Sequence, residues 1–275
     1  MTEFDGLPVL RSPVAIAAFE GWNDAADAST AAVEHLEQVW DTRVITTIDP
    51  EEFYDFQVNR PTVSLTDGET RRIEWPTTRF AVATPPEAER DVVLIRGIEP
   101  SMRWRTFCAD VLEVCHSLEV TQLVLLGALL ADVPFSRPLP VSGTATGKTT
   151  SQRFGLTPAR YEGPTGIVNL FFNDTATTEI YTMSFWVHVP HYANNPPCPK
   201  ATLALLHRAE EVLDLGRHRL KDFAEQVSLY QLGSERFPPL RTISNTNLPV
   251  PLSSFVGREQ EVREVVSLVR EEAAR

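Results

Sequence analysis

The sequence predicts an α/β fold with a mostly parallel or mixed central sheet, covered by helices on both faces. Short apolar runs of strand length recur along the chain, and amphipathic helical patterns lie between them. The strand-like runs are also continuously apolar. Continuous runs mark strands buried on both faces, which is the condition of a parallel sheet packed between helices.

Val14–Phe19 is the first such run. Ala25–Val39 follows it, with Ala28, Ala32, Val33, Leu36 and Val39 spaced by three and four, as one face of a helix requires. Arg43–Ile48 is the next strand. Thr62–Ala83 holds an Asp-Gly pair between two strand-like halves and reads as a hairpin insertion. Val92–Ile95 returns to the sheet, and Trp104–Leu118 repeats the helical pattern with Phe107, Val111, Leu112, Val114 and Cys115. Gln122–Leu126 is another strand, and Leu129–Lys148 reads as a loop. Ile167–Phe172 and Met183–Val189 are both apolar and read as strands. The Thr-rich stretch Asn173–Thr182 between them has neither helical nor strand periodicity. Two parallel strands need a connection of about a dozen residues, usually helical, and four threonines without an apolar stripe make a weak helix. Pro197 or Pro199 opens the last helix, Ala201–Leu213.

Composition limits the function classes. With 43% hydrophobic residues in 275, the chain can bury a sizeable core. A net charge of −12 argues against general nucleic-acid binding, which needs basic surface. No run of about eighteen apolar residues suggests a membrane span, and the acidic start MTEFDGLPVL lacks a secretory core. Three cysteines are too few for a disulfide framework, so a reduced, cytoplasmic setting is expected. The charge also steps along the chain. Residues 216–275 hold 9 basic and 8 acidic residues, and the first 215 hold 16 and 29. A boundary near 214 is expected, with a first domain 1–214 and a tail 215–275.

In such sheets ligands sit where strands end. The motifs there each have a plain structural reading. GTATGKTT (Gly143–Thr150) resembles a phosphate loop but encloses three residues between its glycines where four are needed, with Ser142 in the required position. His188 and His191, three apart along a strand, point to opposite faces and are poor co-ligands for a metal. Ser142 or Cys198 with His191 can be drawn as a nucleophile pair, with nothing in the sequence to bring them together. Glu20–Thr30 leaves a strand and opens a helix, where Asn23 or Asp24 can cap the free N–H groups. RWRTF (Arg103–Phe107) reads as a helix start that stacks Trp104. The candidate ligand or interface residues are therefore Trp22, Asn23, Asp24, Arg103 and His191. No catalytic residue, metal site or cofactor is assigned.

Several long stretches resemble the actinobacterial branch of the proteasome assembly chaperone 2 family, over about Gly6 to Leu213. They are EGWNDAADAST, GIEPSMRWRTFC, LLGALLADVPFSRPLPVSGTAT, RYEGPTGIV and SFWVHVPHYANNPPCPKATLALL. The resemblance implies a three-layer sandwich like that of nucleoside phosphorylases, and oligomers among bacterial members. Relatives in eukaryotes and archaea help assemble proteasome α-subunits, and no catalytic residues are implied. Two stretches depart from the family. Asn173–Thr182 resembles a translated sequencing-library adapter standing where the family has a crossover helix. The tail resembles the end of a class III nucleotidyl cyclase (Leu215–Leu232), then the linker before a signal-transduction ATPase (Phe237–Val265). Neither fragment brings its activity.

The expected function is a cytoplasmic, non-enzymatic, assembly-chaperone-like protein. It would act through a protein partner or self-association as a homo-oligomer, without nucleic acid or membrane. The alternative is a small-ligand binder or a hydrolase- or phosphorylase-like enzyme at the strand ends. A pocket joining the five candidates would favour the alternative, and an apolar patch with charges at its rim would favour the chaperone.

Overall fold

A computed structural model describes residues 7–213 apart from 67, 69, 86–87, 147–150, 152–153, 157–160 and 177. The chain divides into two units, Met1–Gln231 and Leu232–Arg275. The boundary expected near 214, the cyclase-like and linker-like tail, and the GKTT half of the phosphate-loop-like motif all lie outside the described residues.

Seven strands form the central sheet: β1 (Val14–Glu20), β2 (Arg43–Thr47), β5 (Arg79–Ala83), β6 (Val92–Ile98), β7 (Gln122–Ala131), β8 (Val141–Ala145) and β9 (Tyr181–Pro190). Their order is β2-β5-β6-β1-β7-β9-β8. The central four, β6-β1-β7-β9, run parallel, and the outer strands join antiparallel. The sheet is therefore mixed, with a parallel centre. β3 (Thr62–Thr66) and β4 (Thr70–Glu74) form a separate two-stranded antiparallel ribbon, and Asp67 of the expected Asp-Gly turn lies outside the described residues.

Among the described residues, two helices close each face of the sheet. α1 (Ala28–Val39) and α4 (Pro199–Leu213) cover one face, packing Val33, Leu36, Leu205 and Leu206 on Ile16, Leu94, Leu126 and Phe185. On the other face, α2 (Trp104–Ser117) and α3 (Ile167–Thr175) pack Phe107, Val111, Ile167 and Phe171 on Ala17, Phe19, Ile95 and Leu125. The rings of Phe19 and Phe171 stack at 5.2 Å, and Phe107 meets Phe19 edge-on at 5.9 Å. Cys108 and Cys115 share the buried side of α2 as their spacing predicts, and burial pushes both thiols up to about 12.

Three expectations are corrected. Ile167–Phe172 is not a strand but most of α3. Short apolar runs do not separate strand from helix by periodicity. Here Ile167, Val168, Phe171 and Thr175 fall on one helical side and are buried, which settles the choice. A crossover helix is therefore present, though only nine residues long. The adapter-like stretch ends that helix at Thr175, turns through Thr178, and enters β9 at Tyr181. Its threonines bond to backbone: Thr175 Oγ1 donates to the Phe171 carbonyl at 2.9 Å, and Thr178 Oγ1 to that of Thr175 at 3.0 Å. Next, β7 runs five residues past Leu126, to Ala131. Last, β8 lies inside the supposed loop Leu129–Lys148. Gly143 interrupts the apolar signal of β8, yet it is needed there, because a Cβ would stand 2.6 Å from the ring of Phe185 on β9.

Candidate functional site

The parallel centre sends the carboxyl ends of β6, β1, β7 and β9 to one rim, in that order. All five candidate residues lie on loops at this rim. The structure does not gather them into one site.

After β1 the chain turns at Gly21, whose φ of +117° suits glycine. Trp22 points to solvent, 63% exposed, while Asn23 and Asp24 are buried. The turn is fixed to the sheet, because Ala128 N–H of β7 donates to the Asn23 carbonyl at 2.8 Å. Ala26 and Asp27 then sit in the left-handed region, with φ of 57° and 53°. This kink delays α1, and Asp24 caps it from a distance. Its Oδ1 accepts from the N–H and hydroxyl of Ser29, both at 2.6 Å. Its Oδ2 accepts from Thr30 N–H at 3.2 Å and from the Thr30 hydroxyl. Burial pushes the Asp24 carboxyl above its ordinary range, and these four bonds offset only part of that. The capping reading is thus the observed one, and every lone-pair direction of Asp24 is used within the fold.

Asn23 leads to a residue that sequence reasoning missed. Its Nδ2 donates to Glu99 Oε1 at 2.6 Å, and the same oxygen accepts from Ile167 N–H at 2.8 Å. Glu99 follows β6 and lies at the amino end of α3, where a carboxylate suits both the free N–H groups and the helix dipole. Gly166 precedes that helix, and a methyl there would overlap the Asn23 amide. Among the described residues Asn23 Oδ1 has no hydrogen-bond partner. The group Asn23–Glu99–Ile167 thus ties β1, β6 and α3 together. The only sequence signal for Glu99 was its place in GIEP, just beyond a strand.

Arg103 caps α2 in the left-handed region, with φ of 55°. Its guanidinium pairs with Glu52 and lies 5.9 Å from the centre of the Phe53 ring. Trp104 Nε1 donates to the Pro100 carbonyl at 2.6 Å. This is the helix-start reading, extended to hold the 50–56 loop. His191 lies in the turn after β9, with Nε2 3.9 Å from the exposed carboxylate of Asp132. Among the described residues, neither Arg103 nor His191 hydrogen-bonds or ion-pairs with Trp22, Asn23 or Asp24.

The imagined pairs of Ser142 or Cys198 with His191 give way to another. Ser142 Oγ lies 3.1 Å from His188 Nε2, and burial lowers the His188 pKa, favouring its neutral form. Among the described residues no carboxylate hydrogen-bonds His188. Cys198 is buried immediately ahead of α4, where its carbonyl accepts from Ala201 N–H at 3.0 Å. No group of three or more His, Cys, Asp or Glu among the described residues is placed to hold a metal, and no described helix is long and apolar enough to cross a membrane.

The rim does share one surface property. Each strand of the parallel centre ends beside an exposed apolar side chain: Met102 after β6, Trp22 after β1, Leu130 and Phe135 at and beyond the end of β7, and Tyr192 after β9. Tyr192, 71% exposed, is held through its hydroxyl, which accepts from Phe135 N–H at 2.6 Å. Lys200 Nζ reaches the Phe135 carbonyl and lies 4.7 Å from the centre of its ring. Polar and charged side chains, Glu52 with Arg103 and Asp132 beside His191, border the row. Exposed apolar residues with a polar border are the pattern of a protein-binding surface.

Residues 18–229 match the PAC2 family. Among solved structures, a PAC2 family protein from Streptomyces avermitilis is 51% identical, with a TM-score of 0.71 over 74% of this chain and 86% of that one. A proteasome-assembly chaperone homologue from Mycobacterium tuberculosis is also 51% identical, with a TM-score of 0.70 over 76% and 88%. An archaeal proteasome activator from Pyrococcus furiosus shares the fold at 14% identity, with a TM-score of 0.64 over 77% and 88%. No curated protein sequence matches the chain.

Proposed function

The chain belongs to the PAC2 family, and from that membership we propose that it is a non-enzymatic, assembly-chaperone-like protein. It binds proteasome subunits in the cytoplasm and works as a homo-oligomer. The observation that carries the reading is the row of exposed apolar residues, Met102, Trp22, Leu130, Phe135 and Tyr192, along one rim of the sheet. The polar residues beneath that row are committed to the fold: buried Asp24 to capping α1, and buried Asn23 and half-buried Glu99 to α3. What the rim offers a partner is aromatic and aliphatic area. Large aromatic anchors carry most of the energy of such contacts.

The acidic body, with 16 basic against 29 acidic residues in its first 215, suits a partner face bearing basic groups. Native mass spectrometry of the chain mixed with actinobacterial proteasome α- and β-subunits tests the reading. Association is expected. Trp22→Ala and Tyr192→Ala should each weaken it by about tenfold or more, since a central aromatic anchor is worth about 2 kcal/mol. No association, or association indifferent to both substitutions, would sink the reading.

A further inference from the structure

Beyond its apolar area, the rim offers one carboxylate oxygen, because Glu99 uses its two oxygens differently. Oε1 belongs to the fold, accepting from Asn23 Nδ2 at 2.6 Å and from Ile167 N–H at 2.8 Å. The backbone N–H of Glu99 donates to the Glu20 carbonyl at 2.9 Å, which joins the ends of β1 and β6. Among the described residues Oε2 accepts no hydrogen bond, and Glu99 forms no ion pair. Glu99 is half-buried, and its side chain lies along Gly21. A Cβ at Gly21 would stand 3.3 Å from Glu99 Cβ and 3.6 Å from Oε2. The next residue is the exposed Trp22, and among the described residues no cation lies over its ring. A carboxylate partly withdrawn from water attracts a cation more strongly than one in open solvent. The surroundings are acidic as well. Glu20 is pushed above its ordinary range by burial and by Asp24, Asp27 and Glu34. Arg103, at the start of α2, is already paired with Glu52.

We propose that Glu99 Oε2 and the indole of Trp22 together take an arginine side chain of the protein partner. The inference rests on the protein-binding reading of the rim and names the chemistry that one part of the row accepts. A guanidinium suits this pair of groups better than an ammonium. It donates within its plane to a carboxylate, and its flat face lies on an aromatic ring. An ammonium has no such face. The acidic body, with 16 basic against 29 acidic residues in the first 215, draws a basic partner surface towards the rim. Glu99 and Trp22 then fix where one of its charges lands. The bonds of Oε1 hold the carboxylate in place before the partner arrives, so little ordering is lost on binding.

The division between the two oxygens supplies the test. Glu99→Gln keeps Oε1 as the acceptor for Asn23 and Ile167 and puts a neutral amide in place of Oε2. Its urea midpoint should match wild type while its affinity for arginine falls. Acetyl-arginine amide is titrated into the full chain and followed by NMR on the Trp22 indole and the Asn23 side-chain amide. Both signals should shift saturably. Glu99→Gln should weaken this binding by about fivefold or more, since a charge-assisted bond is lost. Trp22→Ala removes an exposed ring and leaves the bonds of Glu99 intact, so it tests the pair independently of α3. It should weaken binding by a similar factor, read on the Asn23 amide. Acetyl-citrulline amide, the neutral isostere, should move neither signal. Signals unmoved by arginine, an equal response to citrulline, or either variant binding arginine as wild type does would each overturn the inference. Proteasome-subunit binding by the same samples keeps the two readings apart. If arginine binds as expected and no subunit associates, the partner reading falls and the arginine site stands. If subunits associate and Glu99→Gln binds them as tightly as wild type does, the rim reading stands and the arginine site falls.

Discussion

The seven-stranded sheet and the two-stranded ribbon are built from the same kinds of strand and end in opposite situations. β1 and β3 are both short and rich in β-branched and aliphatic residues. β1 has strands on both edges and helices on both faces, and Val14–Phe19 is buried throughout. β3 has one strand beside it, and its two aliphatic side chains stay open. Apolar content therefore identifies a strand without identifying what covers it. Where the chain supplies two helical layers, the strand is core. Where the described residues supply none, the same composition stays open.

The largest test of this contrast removes a ring from the covered region. Phe171→Ala should cost about 3–5 kcal/mol, read by urea unfolding, because Phe171 is buried between Phe19 and Phe107. A loss below about 1 kcal/mol would mean that α3 does not close its face of the sheet. The next test is at the opposite rim, where Arg11 pairs with Asp91 at 2.8 Å. Burial pushes the Asp91 carboxyl up, but the hydrogen bonds from Arg11 and the Thr84 hydroxyl, with the charge of Arg11, outweigh it and hold the carboxyl below its ordinary range. A group held low contributes stability that is fully present above its unfolded value, about 3.9, and is lost as pH falls through the lower folded value. Arg11→Ala should therefore be less stable than wild type by a constant amount from pH 5 to 8, with the two converging below about pH 4. Parallel pH curves down to acid unfolding would exclude the pair as the cause. The smallest effect belongs to the ribbon. Leu65→Thr should change the folding stability of the isolated chain by no more than about 0.5 kcal/mol, because little area is lost from an open site. A larger loss at concentrations where the chain is monomeric would show that Leu65 is covered within its own chain.

Most of the sheet was legible because its elements carry periodicity of their own. The spacing of Ala28, Ala32, Val33 and Leu36, and of Phe107, Val111 and Cys115, marks helices without reference to anything else. α3 was not legible, because IVNLFF is apolar at nearly every position and only its packing on Phe19 and Phe107 distinguishes helix from strand. β8 was hidden by Ser142, Gly143 and Thr144, which suit an edge strand lying against Phe185 and give no apolar run. At the rim, Asp24 could be read as a cap because it lies close in sequence to the helix it serves. Glu99 could not, because its partners Asn23 and Ile167 stand 76 and 68 residues away. The rim as a row was also beyond the sequence: Met102, Trp22, Leu130 and Tyr192 become neighbours only once the order β6-β1-β7-β9 is known.

All three cysteines of the chain are buried, two on α2 and one immediately ahead of α4. Alkylating and maleimide reagents need an accessible thiolate, so the native fold protects every thiol it carries. A cysteine introduced at an exposed position would then be the sole labelled site under brief, mild treatment. Fluorophores or spin labels placed on the rim or the ribbon could report distances and contacts without a cysteine-free background having to be built first.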